Sequence, residues 1–257
     1  MALRIVSDSS IDVLSMPAVD YRVVPLRIYC GTEEFTDDES LDVRGMCDFL
    51  ESSRERSTTS CPNIIEWREA FEGAKEILAL TISGALSGSC NACRQALQEF
   101  LEEHPGAKGY VMDSLSTGPM MHMLADKAVE LSRSGLAFEE MVSALRDYRA
   151  HSTLFFTLKT MNNLAKNGRV SPVIAKGASI LGIRLLAMGD EEGKVKPLTK
   201  CRGSGKLPGV ILAEMERRSY AGGQVYIHHC FAQELVDRLV ELLRSRYPEA
   251  PLKIRPV

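Results

Sequence analysis

Two hydroxyl-rich stretches are the parts of this sequence best equipped for chemistry. The first is Ser83-Gly84-Ala85-Leu86-Ser87-Gly88-Ser89, and the second is Ser57-Thr58-Thr59-Ser60, followed by Cys61-Pro62. Each stands just before a run with helical spacing. The opening of a helix leaves backbone N–H groups without internal partners and carries partial positive charge, so hydroxyls and glycines there can hold a carboxylate or a phosphate. A serine-capped turn with no ligand is the plain alternative for the first stretch. The second holds more hydroxyls in a row than one helix cap uses, since a cap needs one side-chain oxygen.

Other chemistries fit the residues less well. A serine hydrolase built on Ser87 needs Gly-x-Ser-x-Gly, and the order here is Gly84-Ala85-Leu86-Ser87-Gly88. His104, His122, His151, His228 and His229 carry no motif pointing to that serine, and His228 and His229 alternate faces of a strand, which suits structural use better than a shared metal. Cys90-x-x-Cys93 has the spacing of a redox dithiol or half a zinc site, but no proline lies between the cysteines and small buried cysteines are common. Neither a P-loop ending nor a Gly-x-Gly-x-x-Gly run is present, which argues against a nucleotide site. Asp8 and Asp113 end strands and read as loop caps rather than catalytic or metal carboxylates, so no metal site and no cofactor is expected. Arg169 is a candidate cation for a bound carboxylate.

The elements that must position these residues can be read from periodicity. Ile77 to Ile82 is a buried strand, and Ala92, Ala96, Leu97 and Phe100 recur at helical spacing after the loop. Arg4 to Ser10 reads as a strand ending in polar residues, and Tyr21 to Tyr29 as a second strand. Asp38 to Ser52 has a helical period. A helix follows the Thr58-Thr59 cluster with Pro62 in its first turn. Gly109 to Ser114 repeats the strand ending in Asp-Ser, and helices follow from Pro119 to Ser132 and from Phe138 to His151. Strands alternating with helices, with polar residues at the strand ends, indicate a doubly wound, mostly parallel α/β sheet over residues 1–152.

Residues 153–257 read as a second, α+β domain. It has strands over Thr153–Leu158, Ile183–Met188, Lys194–Lys200, Gln224–His229 and Leu252–Val257, a hairpin turn at Gly189 to Gly193, and helices over Thr160–Lys166, Ser171–Leu181, Pro208–Arg218 and Ala232–Arg246.

A net charge of -3 gives no electrostatic reason to expect nucleic acid. No apolar run is long enough to span a membrane, and no signal region precedes the first strand, so a cytoplasmic protein is expected. The seven cysteines are odd in number and scattered, which favours reduced thiols.

Taken in order, several of these pieces resemble the DegV family of bacterial fatty-acid-binding proteins. Ile5-Val6-Ser7-Asp8-Ser9-Ser10 is similar to its opening strand, Thr58-Thr59-Ser60-Cys61-Pro62 to its Thr-Ser-Gln-Pro stretch, and Leu86-Ser87-Gly88-Ser89 to its Leu-Ser-Gly-Thr. Met112-Asp113-Ser114, Leu164 to Val170 and Cys201-Arg202-Gly203 continue the match. Single motifs are weak, but the ordered set spans nearly the whole chain. The resemblance implies a non-enzymatic carrier that encloses one long-chain fatty acid between two domains and presents its carboxylate to a separate fatty acid kinase. Carried over by position, it implies that Thr58, Thr59 and Ser87 bind the carboxylate, that Arg169 supports them, and that Arg202 contacts the kinase.

Departures from the family pattern bear on ligand preference. Cys61 stands for the usual glutamine, Asn167 for the first glycine of a Gly-Gly-Arg turn, and Arg184-Leu185 for Lys-Pro. The family continues past a strand like Ile254-Arg255-Pro256-Val257 into a Gly-rich segment whose histidine joins the carboxylate network. That segment is absent from this sequence, so a truncated chain or a site without that histidine is expected. The competing expectation is an enzyme, either a serine hydrolase or a Cys90/Cys93 redox protein.

Overall fold

The computed structural model describes residues 3–172 and 183–257. The expected helix from Ser171 to Leu181 lies, beyond Pro172, outside the described residues. The chain divides into one unit of residues 1–153 with 191–194, and another of 154–190 with 195–257.

The first unit is built on four parallel strands: β1 (Leu3–Asp8), β2 (Asp20–Val24), β6 (Glu76–Thr81) and β7 (Lys108–Asp113), in the order β2-β1-β6-β7. Parallel strands buried on both faces read as continuous apolar runs rather than alternating ones. β6 shows this plainly. Leu78 and Leu80 face one helix layer, α4 (Pro119–Ser132) and α5 (Phe138–Ala150), where they meet Met121, Leu124 and Leu145. Ile77 and Ala79 face the other layer, α2 (Ile64–Phe71) and α3 (Ser89–Glu103), where they meet Trp67, Phe71, Cys93 and Phe100. Trp67 is fully buried there, and its indole N–H has no acceptor among the described residues.

A smaller antiparallel sheet belongs to the same unit, in the order β4 (Glu33–Thr36), β3 (Arg27–Cys30), β5 (Ser57–Ser60). It overturns three local expectations. Tyr21 to Tyr29 is not one strand: the chain leaves the parallel sheet at Pro25, which has no N–H to give a ladder, and Leu26 is anchored instead by its N–H donating to Ser9 Oγ at 3.0 Å. β4 occupies a stretch assigned to no element, and the helix expected from Asp38 begins only at Val43, as α1 (Val43–Ser52), capped by Asp42 accepting from Gly45 N–H. The Ser57–Ser60 cluster, expected as a hydroxyl run at a helix start, is a strand. The cap of α2 is Asn63, which exchanges side-chain to backbone hydrogen bonds with Glu66, and Pro62 precedes it.

The second unit holds an antiparallel sheet in the order β10 (Val195–Arg202), β9 (Ile183–Gly189), β8 (Phe155–Leu158), and a parallel pair β11 (Val225–His229) and β12 (Leu252–Pro256). Alternation along β9 sends Leu186 toward α7 (Leu207–Arg217) and α8 (Gln233–Arg246), where Ile211 and Leu243 lie. Leu185 and Ala187 go to the other face with Met161 and Leu164, beside the short α6 (Asn162–Lys166). The whole is a mixed α/β protein whose N-terminal core is a parallel sheet and whose remainder is α+β.

Candidate functional site

In an open parallel sheet, ligands collect beyond the carboxyl ends of the strands, at the point where the strand order reverses. That point falls between β1 and β6, since the chain moves from β1 outward to β2 and later returns to lay β6 on the other side. Asp8 ends β1 there and is completely buried. Its Oδ2 accepts the Ile82 N–H at 3.0 Å and the Ser89 hydroxyl at 2.6 Å, and its Oδ1 accepts the Ser10 hydroxyl at 2.5 Å. Burial pushes the Asp8 carboxyl above the ordinary aspartate range, and these hydrogen bonds offset only part of that rise.

Ile82 and Ser89 bracket the hydroxyl loop, so one oxygen of Asp8 meets both of its ends. Inside the loop, Ser87 N–H donates to the Ser83 carbonyl at 3.1 Å, and Ser87 Oγ accepts the Ser89 N–H at 3.2 Å. Ser83 is buried: its hydroxyl donates to the Gly193 carbonyl at 2.8 Å, and its N–H donates to the Ser116 carbonyl at 2.8 Å. Gly193 is held so close that an added Cβ would stand 2.2 Å from Ser83 Oγ and 2.9 Å from Leu115 Cα. Asp113, at the end of β7, accepts the N–H groups of Gly84 and Leu115 and so caps both neighbouring loops. Leu115 takes a left-handed φ of 52°, uncommon for a side chain of its kind, within this same group of loops.

The start of α3 does meet a carboxylate, but that carboxylate is the protein's own Asp8, reached through Ser89, the first residue of the helix. Neighbouring negative charge is favourable at a helix start. Ser87 is half-exposed one residue before the cap, with its Oγ accepting from within the loop.

The second hydroxyl group lies on β5, which among the described residues is an edge strand paired with β3, where Thr58 stands opposite Tyr29 and Thr59 opposite Ile28. Both threonines are exposed. Adjacent strand residues project to opposite faces, so a single ligand atom can take a hydroxyl from one of them and backbone N–H groups from the strand's outer edge. The chain just after β5 returns to the loop: a Cβ placed on Gly88 would lie 3.3 Å from Cys61 Sγ. The two hydroxyl segments, separated by more than a helix and a strand in sequence, therefore approach each other at one point, Cys61 against Gly88.

Arg169 and Arg202 belong to the second unit. Arg169 follows the end of α6, where its N–H donates to the Leu164 carbonyl at 2.8 Å and its guanidinium donates to the Asn167 carbonyl at 2.7 Å. Arg202 ends β10 opposite Ile183 and is exposed.

The enzyme alternatives find little support in this geometry. Ser87 hydrogen bonds within its own loop, through Ser83 and Ser89. Cys90 and Cys93 are both buried, and burial raises both thiols, Cys93 well above the ordinary thiol range. A reactive dithiol needs the opposite shift. His229 keeps both ring nitrogens buried without a partner among the described residues. Among those residues no cluster of His, Cys, Asp and Glu could hold a metal ion.

The sequence signalled Asp8 and Asp113 as loop caps, but not that Asp8 ties both ends of the loop. Nor did it show that the hydroxyls of Ser83 and Ser89 are spent on bonds within the protein, to Gly193 and Asp8.

Comparison with known proteins gives concordant results. A family model described as an uncharacterised protein of the DegV family matches residues 2–257. A DegV domain-containing protein of Streptococcus pyogenes serotype M1 is 35% identical over 257 residues, covering 98% of this chain and 92% of the relative. A DegV family protein from Eubacterium eligens, solved loaded with heptadecanoic acid, superposes with a TM-score of 0.97 at 37% identity, covering 100% of this chain and 93% of the other. The Streptococcus pneumoniae Fatty Acid Kinase (Fak) B3 protein, solved loaded with linoleic acid, gives a TM-score of 0.97 at 36% identity, with 100% and 92% covered.

Proposed function

The chain belongs to the DegV family, and on that footing we propose that it is a non-enzymatic carrier of a long-chain fatty acid, working in the cytoplasm and handing the acid's carboxylate to a partner fatty acid kinase. The observation that carries this reading is the convergence of two hydroxyl segments at Cys61 and Gly88, beside the carboxyl ends of β1 and β6. A carboxylate taken out of water must be met by donors or by a cation, and this region is rich in short donors. The similarity to two proteins solved with fatty acids bound supports the same ligand class.

In this reading Thr58, Thr59 and Ser87 hold the carboxylate and Arg169 supports them. Arg202 meets the kinase. The acid is the ligand, with no further cofactor. At about 0.8 kcal/mol per buried CH₂, a chain of about fourteen methylenes offers at most about 11 kcal/mol, enough for firm retention after the cost of ordering it.

The test is denaturing extraction of gently purified protein followed by mass spectrometry. A stoichiometric long-chain acid is expected. A protein that emerges empty, and that takes up no acid when offered one, contradicts the proposal.

A further inference from the structure

Resting on the carboxylate-site reading above, we propose that Asp8 is the positioning residue that turns Ser87 into a hydrogen-bond donor, acting through Ser89. Asp8 never reaches the ligand in this account. Its Oδ2 accepts from Ile82 N–H and from Ser89 Oγ, one at each end of the loop, and its other oxygen is occupied by Ser10. Residues 82 and 89 are thereby fixed to the end of β1, and the six residues between them have little freedom left.

The second half of the device is the backbone of Ser89. With its side chain held by Asp8, its N–H is aimed at Ser87 Oγ, 3.2 Å away. A serine hydroxyl has one proton and two lone pairs. When a lone pair of Ser87 is occupied from within the loop, the hydroxyl proton remains to be donated outward, which is the polarity a carboxylate ligand requires. The donors to Asp8 are hydroxyl and amide groups and the residue is wholly buried, so its carboxyl is kept out of water at a desolvation cost that these three bonds to the loop and strand end offset.

The test uses the full-length chain stripped of lipid and compares linoleic acid with methyl linoleate, which has the same tail without the carboxylate. Asp8→Ala and Ser89→Ala should each weaken linoleic acid binding roughly ten- to a hundred-fold, the worth of a hydrogen bond to a charged group. Their affinity for methyl linoleate should stay at the wild-type value. Asp8→Asn, whose amide oxygen can still accept from Ile82 and Ser89, should restore acid binding. Should Asp8→Ala fail to fold, Ser89→Ala leaves the strand end intact and reads the same relay. Folded alanine variants that bind the acid like wild type, or that lose acid and ester alike, overturn the positioning role. Wild-type protein that binds no linoleic acid instead overturns the carrier reading, and this role with it.

Discussion

In the proposed site Ser87 donates to the bound carboxylate while the loop occupies one of its lone pairs, so removing its hydroxyl would leave that carboxylate one donor short. Ser87→Ala should lower acyl affinity by about 1–3 kcal/mol, the cost of an unpaired buried charged group; equilibrium titration with a fluorescent fatty acid checks this, and an unchanged affinity removes Ser87 from the site. Asp8 predicts a pH effect of definite sign. Because its carboxyl is raised in the folded protein, the native state binds the proton more readily than the unfolded chain does. Stability therefore rises as pH falls through the raised value toward the ordinary aspartate value, and Asp8→Asn should flatten that slope in denaturant titrations at stepped pH. The raised thiols of Cys90 and Cys93 make a third test. Iodoacetamide at neutral pH should modify exposed Cys230 in the native protein and reach Cys90 and Cys93 only after denaturation, as read by peptide mass spectrometry. Rapid native labelling of the pair would revive a redox role. At this scale the sequence was informative about residue types and silent about partners: Asp8 was visible as a cap, while the 81 residues separating it from Ser89 hid the bond between them.

Among the elements, the long amphipathic helices and the apolar strands β1, β6 and β7 were legible because their periodicity is set by burial on one face or two. Between Pro25 and Ser60, α1 was legible apart from its start and β3 lay within an expected strand, but β4 and β5 were not legible. These two strands are short and polar, β5 being Ser57-Thr58-Thr59-Ser60, and such a run has no apolar alternation to mark it. Pairing with β3 makes it a strand, and pairing is a long-range fact. Close packing around the hydroxyl loop gives a prediction of its own. Gly193 has φ +77° and no room for a Cβ, which would fall 2.2 Å from Ser83 Oγ. Gly193→Ala should destabilise the protein by about 1–3 kcal/mol through strain at a left-handed position, measured as a lower denaturation midpoint. Gly88→Ala is a milder case, since its Cβ would press on a side-chain sulfur at 3.3 Å, and Cys61→Ala should relieve it.

For the molecule as a whole, the parallel sheet is covered on both faces, and no helix among the described residues is long and apolar enough to cross a membrane. A ligand that binds only the folded state stabilises it by about 2.7 kcal/mol at a free concentration one hundred times its Kd. Protein reloaded with linoleic acid should therefore melt at a higher temperature than stripped protein, and scanning calorimetry reads the difference; identical melting curves would speak against a specific site. One property of the core makes the molecule easy to watch. Trp67 is the sole tryptophan in the chain, shielded from water and, among the described residues, lacking an acceptor for its ring nitrogen. Packed against apolar side chains that cannot reorient around its excited state, it should emit at the blue end of the indole range. Any loosening of that layer would announce itself as a red shift in fluorescence, from a dye that nature has already installed.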